Sequence, residues 1–431
     1  MMLTNRTTRA AMRAAPLILV AACSGAAPRA AEAPSTTTTP ASAGAPKSTT
    51  AANTPPTTPA PPGSAQERVE RIRSDLEQSL LAGPSMTDAL GYRSAWQARI
   101  DLDLRASLVD GSFLRDSMLV WDSAGIVSRL RPSNGDLMWQ SAPSSPVERI
   151  LTAAIVPVGD REFGAILTDT RCFIVDAGNG HFQMRQDFKR LANTAAVLQP
   201  PYLVYGTRDG QVVWHDYIVG YDHRSGQLDG QVVSAPRLAG QRIVATSTGG
   251  SVSSFAATNA RLAWERRLNG PITARAAANE EAVWVPCHDQ YLWCLAARDG
   301  RTLWRYFSQS TLEASPVLLD DSLYLQLPGE GLVNFEPLPK DKLDGVVRWR
   351  SPDAPGGVIG LCRAGLLVWD PPSRTLTIVE EKSGSVVKKI PAPKVRSIQA
   401  IDPIDGDLML LGDDGRVQRI TPIAKRDPTK S

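Results

Sequence analysis

The chain has 431 residues, 42% of them hydrophobic and 21% charged, proportions ordinary for a globular protein. Its formal net charge of +3 is unevenly placed: Arg6, Arg9, Arg13, Arg29 and Lys47 against Glu32 leave +4 in the first 64 residues and −1 in the rest. The basic excess belongs to the leading segment, and the body lacks the clustered Lys/Arg footprint of a nucleic-acid binder.

Three arginines precede the apolar run Ala14 to Ala22, which ends at Cys23. A basic segment, a short apolar segment and small residues before a cut site are the pattern of a secretory signal. Nine residues are too few to span a bilayer, which needs about 20. The sequence Val20-Ala21-Ala22-Cys23 resembles a bacterial lipobox, which implies cleavage before Cys23 and acylation of its thiol and new amine. Several acyl chains, at about 0.8 kcal/mol per buried CH₂, hold a protein on a membrane stably. Ser24 after the cysteine fits an outer-membrane destination. Residues 1–23 are thus expected to be a lipoprotein signal peptide, with Cys23 as lipid anchor.

Residues 24–64 contain no Leu, Ile, Val, Met or aromatic side chain. Such a segment buries too little apolar area to offset its ordering entropy, and its prolines favour extended conformations; it is expected to be a disordered tether. Ser64 with Glu67 reads as a capping box, and Val69, Ile72, Leu76 and Leu80 share one helical face. This predicts one short helix over 65–84, stopped at Gly83-Pro84, whose apolar stripe docks on the body.

The body repeats a unit seen most clearly in Val283 to Trp304, VWVPCHDQYLWCLAARDGRTLW. Two β-rich runs are joined by a tight polar turn; a second turn at Asp299-Gly300 leads to a strand carrying Trp304. The turn glycine and the tryptophan four later recur as Gly135 with Trp139, Gly300 with Trp304 and Gly345 with Trp349, and Ala260 precedes Trp264. Three units keep a glycine and lose the tryptophan: Gly180 before Met184, Gly226 before Gly230 and Gly384 before Lys388, with Asp176, Asp222 and Glu380 placed to hold the turns. Trp96 adds an eighth anchor. The anchors 96, 139, 184, 230, 264, 304, 349 and 388 lie 43, 45, 46, 34, 40, 45 and 39 residues apart. Periods near 40 with four short strands each indicate a propeller. Further turns at Ala124-Gly125, Asp209-Gly210, Gly249-Gly250, Asp289-Gln290 and Asp414-Gly415 suit hairpins that need positive φ.

The C-terminal end supplies only three strands of a blade, near 395–401, 407–411 and 416–421, and the strand around Ser94 to Ile100 is an orphan at the other end. Joining them removes an exposed sheet edge. The expectation is therefore an all-β, eight-bladed propeller of four-stranded antiparallel blades over 94–421, with 422–431 as a tail. Seven blades is the alternative, because the N-terminal unit matches poorly.

The strand with a D-G turn, the strand ending in Leu-Ala-Ala-Arg-Asp-Gly and the following Trp304 resemble the PQQ-like repeat family, over about residues 94–421. The resemblance implies that the repeat tryptophans pack between neighbouring blades. With the cysteine motif, the chain is similar to the outer-membrane assembly lipoproteins of that family. Enzymes with these repeats carry adjacent cysteines, a calcium-binding acid/amide set and an Asp base around PQQ; this chain has no adjacent cysteine pair and no C-x-x-C-H.

No catalytic constellation, metal site or cofactor is expected. Cys172, Cys287, Cys294 and Cys362 read as buried thiols, His288-Asp289 as a surface turn, and Asp402 to Asp407 as a connecting turn without calcium-loop spacing. Trp214, in the longest interval between anchors, is the aromatic most open to a binding role, and Pro337 to Lys342 is a possible protruding loop. The functional expectation is a membrane-tethered, non-catalytic, monomeric scaffold of the bacterial envelope that binds another envelope or membrane protein and no nucleic acid. A PQQ- and calcium-dependent dehydrogenase relative and a small-molecule or glycan sensor are the alternatives.

Overall fold

The computed structural model describes residues 65–423. Cys23, the 24–64 linker, the capping residue Ser64 and residues 424–431 lie outside the described residues. Within them, thirty-two strands form eight four-stranded antiparallel sheets, seven of consecutive strands and one that joins the two ends of the body. Blades 1 to 7 span residues 108–141, 150–187, 197–227, 237–267, 277–307, 317–351 and 357–391. Blade 8 takes Val395–Ala400, Leu408–Gly412 and Arg416–Pro422, and its outer strand is Tyr92–Arg99. That strand pairs antiparallel with Arg416–Pro422, from Tyr92 opposite Pro422 to Arg99 opposite Arg416, with a bulge between Ser94 and Trp96. The expected eight-bladed ring, fastened by its N-terminal strand, is the fold.

The burial pattern follows from radial stacking. Middle strands are covered on both faces by neighbouring blades, so they read as continuous apolar runs: Met118–Asp122, Ala282–Pro286, Gly331–Phe335 and Leu408–Gly412 are buried at every residue. Outer strands have few inward positions. In Leu262–Arg267 only Trp264 is buried. The first strands of adjacent blades pack on one another and line the axis. The predicted hairpin turns are present: Gly125, Gly210, Gly250, Gln290 and Gly415 all have φ between +71° and +86°.

The N-terminal segment departs from expectation in two ways. The helix α1 is Ala65–Ser79, and none of its residues is buried; Val69 and Ile72 are 64% and 59% exposed. The stripe expected to dock over 65–84 does not dock. A second helix, α2 (Pro84–Leu90), begins where the sequence suggested a stop. Proline at the first helical position sacrifices no hydrogen bond, because that N–H has no partner inside a helix. The docking residues are Leu81, Ala82, Met86 and Leu90, which enter one core with Leu376, Ile390, Leu408 and Ile420. The reason is polar as well as apolar. Gln418, fully buried, accepts from the backbone N of Ala82 through Oε1 at 2.6 Å and donates to its carbonyl from Nε2 at 3.2 Å. Lys394 Nζ donates to the last carbonyls of α1, Glu77 and Gln78, at 2.8 and 2.7 Å. The end of α1 is held, Arg73 in its middle pairs with Asp88 of α2 at 2.6 Å, and its apolar stripe stays exposed.

Candidate functional site

The blade junctions share one contact. The start of the turn between third and fourth strands, its first or second residue, presents a carbonyl to the preceding blade, which supplies a side-chain N–H. Trp96 Nε1 donates to Pro132 at 3.0 Å, Trp139 to Ala177 at 2.7 Å, Trp264 to Ala297 at 2.8 Å, Trp304 to Pro337 at 2.8 Å and Trp349 to Glu381 at 2.8 Å. Each indole also lies against a glycine of the same turn, three residues beyond the accepting carbonyl in four of them and eight beyond it, at Gly345, in the fifth. A Cβ added to Gly135, Gly180, Gly300, Gly345 or Gly384 would sit 2.4, 2.7, 2.6, 2.9 or 2.5 Å from the ring of the tryptophan one blade earlier. The repeat glycine and the tryptophan four residues later are therefore not a contact pair. Each glycine serves the tryptophan of the blade before it, and a flat side chain fills a wedge that widens outward.

Two predicted residues fall elsewhere. Gly226 is not a turn glycine: it lies within the outer strand Tyr221–Gln227, opposite Val212. The turn of blade 3 is at Gly220, φ +85°, whose N donates to Asp216 at 2.8 Å. Asp216, not Asp222, holds it, accepting from the N–H groups of Ile218 and Val219 at 2.9 and 3.1 Å. The anchor is then Arg224, and the intervals on either side become 40 and 40 in place of 46 and 34. That regularity was the available signal.

Trp214 is the second correction. It is wholly buried in the third strand of blade 3, Gln211–Asp216, and its Nε1 donates to Ala257 at 2.8 Å. It carries out the junction contact that Arg224 cannot make, so it is unavailable as a binding aromatic. At the junction of blades 2 and 3, Gln186 Nε2 donates to Tyr217 at 2.8 Å in the same role. Gln186 Oε1 also faces His215 Nε2 at 2.8 Å, and Asp222 Oδ1 faces the other ring nitrogen at 2.9 Å. His215 is fully buried in this clamp. At Gly345 the turn is an eleven-residue loop, 336–346, and Gly345 N donates to Arg305 at 2.9 Å. Pro337 of this loop takes the indole N–H of Trp284 at 3.2 Å as well as that of Trp304. The loop is pinned at its start.

The four described cysteines are buried and unbridged. Burial pushes the Cys172 and Cys287 thiols up to about 12. His288 Nε2 lies 2.8 Å from Thr273 Oγ1, and the segment Asp402 to Asp407 stitches blade 8 to blade 7: Leu361 N donates to Pro403 and Asp405 N to Leu361, each at 2.8 Å. Among the described residues no group of three or more His, Cys, Asp or Glu side chains is placed to hold a metal ion.

Three surfaces remain as candidates for binding. One is the exposed apolar stripe of α1. The second is a groove of about 400 Å³ between α2 and the outer strand of blade 7, with Leu81, Met86, Ile390 and Pro391 on its walls and Lys388 and Lys389 at its rim. The third is a cavity of about 260 Å³ at the axis, touched by blades 1 to 4.

Eight radial sheets, locked at six of their junctions by indole-to-turn contacts and at a seventh by Gln186, define a β-propeller of PQQ-like repeats. The chain belongs to the family described as outer membrane protein assembly factor BamB, which it matches over residues 123–288 and 272–409. It is similar in fold to BamB from Moraxella catarrhalis, at 16% identity and a TM-score of 0.59, over 78% of this chain and 99% of that one. It is also similar to the computationally designed Ika8 protein, at 13% identity and a TM-score of 0.56, over 76% of this chain and 99% of the other. No curated protein matches it by sequence.

Proposed function

We propose that this chain is a non-catalytic interaction scaffold of the bacterial cell envelope, tethered by a lipid on Cys23 through the 24–64 linker to the periplasmic face of the outer membrane. The observation that carries the reading is family membership: a BamB-type repeat array spans most of the body. The basic segment, the apolar run and Cys23 support the same destination. A rigid disc on a 41-residue tether can reach a membrane-embedded partner without being fixed to it. The α1 stripe and the groove beside α2 are the exposed apolar surfaces of the N-terminal segment of the body, and they are the ones we assign to a partner.

The test is twofold. Metabolic labelling with radioactive palmitate, followed by membrane fractionation, is expected to place the wild-type chain in the outer membrane and the Cys23→Ser variant, unlabelled, among soluble proteins. In-cell crosslinking from Ile72 or Lys389 is expected to capture an envelope protein in stoichiometric amount. Palmitate-free, soluble wild-type protein would end the lipoprotein reading, and turnover of a quinone-linked substrate by the purified chain would end the non-catalytic one.

A further inference from the structure

At seven of the eight junctions one side chain reaches across the wedge to the turn of the next blade: an indole at six, Gln186 at the seventh. Blade 8 has no turn between its third and fourth strands, and among the described residues no side chain makes this contact at the junction of blades 7 and 8. Lys388 holds the anchor position there by register. It stands opposite Ile378 just before a bulge, as Trp349 stands opposite Asn334 and Trp304 opposite Cys294. It is exposed, and it lines the groove of about 400 Å³ between blade 7 and α2. Where the other wedges are closed from within the ring, this one is open.

The walls of the groove are firm and apolar. Leu81, Met86 and Ile390 line it and are themselves buried, in the core that Leu376 and Leu408 continue. An apolar cavity of about 150 Å³ holds a benzene ring, so the groove has room for one aromatic side chain and part of its neighbour. Its rim is basic: Lys388, Lys389 and Lys394 against the one acid Glu77. Lys394 is committed to the last carbonyls of α1, and Glu77 Oε2 accepts from the backbone N of Ser85 at 3.0 Å. Lys388 and Lys389 are exposed and, among the described residues, paired with no carboxylate. Two free ammonium groups beside an apolar slot complement a ligand that carries both a large apolar group and negative charge. Pro391 and Pro393 remove two N–H donors from this stretch of blade 7, which makes it a poor template for an added strand. The groove is shaped to receive a side chain.

We propose that the groove of the blade 7–blade 8 junction binds an acidic segment of a partner protein, which inserts one aromatic side chain between Met86 and Ile390 and sets carboxylates against Lys388 and Lys389. The partner thus supplies in trans the kind of side chain that tryptophan supplies within the ring at six other junctions. The inference deepens the scaffold reading and rests on it only in requiring that a protein partner exists.

The test is selection of short random peptides displayed on phage against the purified full chain, followed by fluorescence anisotropy of the recovered peptide. Recovered peptides are expected to share one aromatic residue flanked by Asp or Glu. Combining Lys388→Glu with Lys389→Glu is expected to weaken such a peptide by about tenfold or more, as is alanine at its aromatic position, and added salt is expected to weaken it as well. Recovered peptides without the aromatic or without the acids, binding unchanged in the lysine variant, or failure to enrich any peptide would each overturn the proposal. Two other occupants have their own signatures. Sedimentation with vesicles containing phosphatidylglycerol, lost in the lysine variant and without peptide binding, would give the lysines to a lipid surface. Concentration-dependent dimers lost in that variant would give the groove to a second copy of the chain, and either result would overturn the partner segment. The two readings fail separately. A palmitate-free, soluble chain that still selects acidic aromatic peptides ends the lipoprotein reading and keeps the groove, whereas an envelope protein captured from Ile72 with no peptide selected keeps the scaffold and ends the groove.

Discussion

If each turn glycine serves the tryptophan of the preceding blade, its substitution must couple to that residue and not to the one beside it in sequence. Gly300 tests this. Its φ is +74°, and a Cβ there would lie 2.6 Å from Trp264 Cε3. Gly300→Ala carries two penalties: a left-handed backbone, about 1–2 kcal/mol for a residue with a Cβ, and overpacking against a fixed indole, about 1–3 kcal/mol. Trp264→Ala costs about 3–5 kcal/mol as a large-to-small substitution. In the double variant the indole is gone, only the backbone penalty remains, and the two changes together cost about 1–3 kcal/mol less than their sum. The cycle of Gly300→Ala with Trp304→Ala, its sequence partner four residues on, is expected to close within about 0.5 kcal/mol. Urea denaturation followed by far-ultraviolet circular dichroism, with slopes shown to match across variants, gives the four free energies. Coupling of Gly300 to Trp304 with none to Trp264 would refute the cross-blade logic.

Three further outcomes follow from the same geometry. Trp214→Phe leaves the Ala257 carbonyl without its donor in a dry junction and is expected to lower stability by about 1–3 kcal/mol, read by the same denaturation; an unchanged midpoint would contradict the junction role. Gln418→Leu removes the partner of both backbone groups of Ala82 and is expected to cost about 2–5 kcal/mol, with faster protease cleavage between residues 79 and 91 as the specific signature. Because burial raises their pKa values to about 12, Cys172 and Cys287 remain protonated at pH 8, well below that value. A water-soluble thiol reagent at pH 8 is expected to leave both unmodified in the native protein and to label both in urea, as peptide mass spectrometry would show.

The ring, its period and its closure were legible because stacking demands them of every unit. Strands covered on both faces must be continuously apolar, and turns with positive φ must carry Gly or a tolerant residue, so both signals recur regardless of neighbours. What was not legible was which residues touch. Gly300 and Trp304 stand four apart in sequence, which invites pairing them, yet the radial geometry sends Trp304 to Pro337 and Gly345 in the next blade. In blade 3 the glycine spacing points to Gly226, whereas Asp216-Tyr217-Ile218-Val219-Gly220 matches Asp176-Ala177-Gly178-Asn179-Gly180 residue for residue in spacing. Trp214 looked unassigned only because that misplacement left it outside any contact. The stripe on α1 was legible as a helical face, but periodicity does not say whether a partner exists within the same chain.

The three junctions without an anchor tryptophan explain how the array tolerates its own exceptions. The carbonyl at each of the seven hairpin turns is a fixed requirement, because it faces an apolar wedge where water cannot serve it. The donor is not fixed. Gln186 supplies it from the outer strand of blade 2 and Trp214 from an inner strand of blade 3, and in both cases the donor reaches the first residue of the next turn. At the junction of blades 7 and 8 the requirement itself disappears, since blade 8 is closed by pairing of Tyr92–Arg99 with Arg416–Pro422 and no hairpin turn joins those strands. Lys388 stands at the anchor position there, and Leu81, Ala82 and Met86 fill the space from the N-terminal side. The same substitution that frees this junction from the repeat rule brings the segment Leu81 to Met86, the groove and two exposed lysines together. A surface under no obligation to the ring is the one most open to selection for a partner. Exchanging Lys388 and Lys389 for Glu is accordingly expected to leave the urea midpoint within about 0.5 kcal/mol of wild type while abolishing the crosslink captured from Lys389-adjacent positions such as Val387; a folded variant that still crosslinks normally would move the partner site elsewhere on the disc.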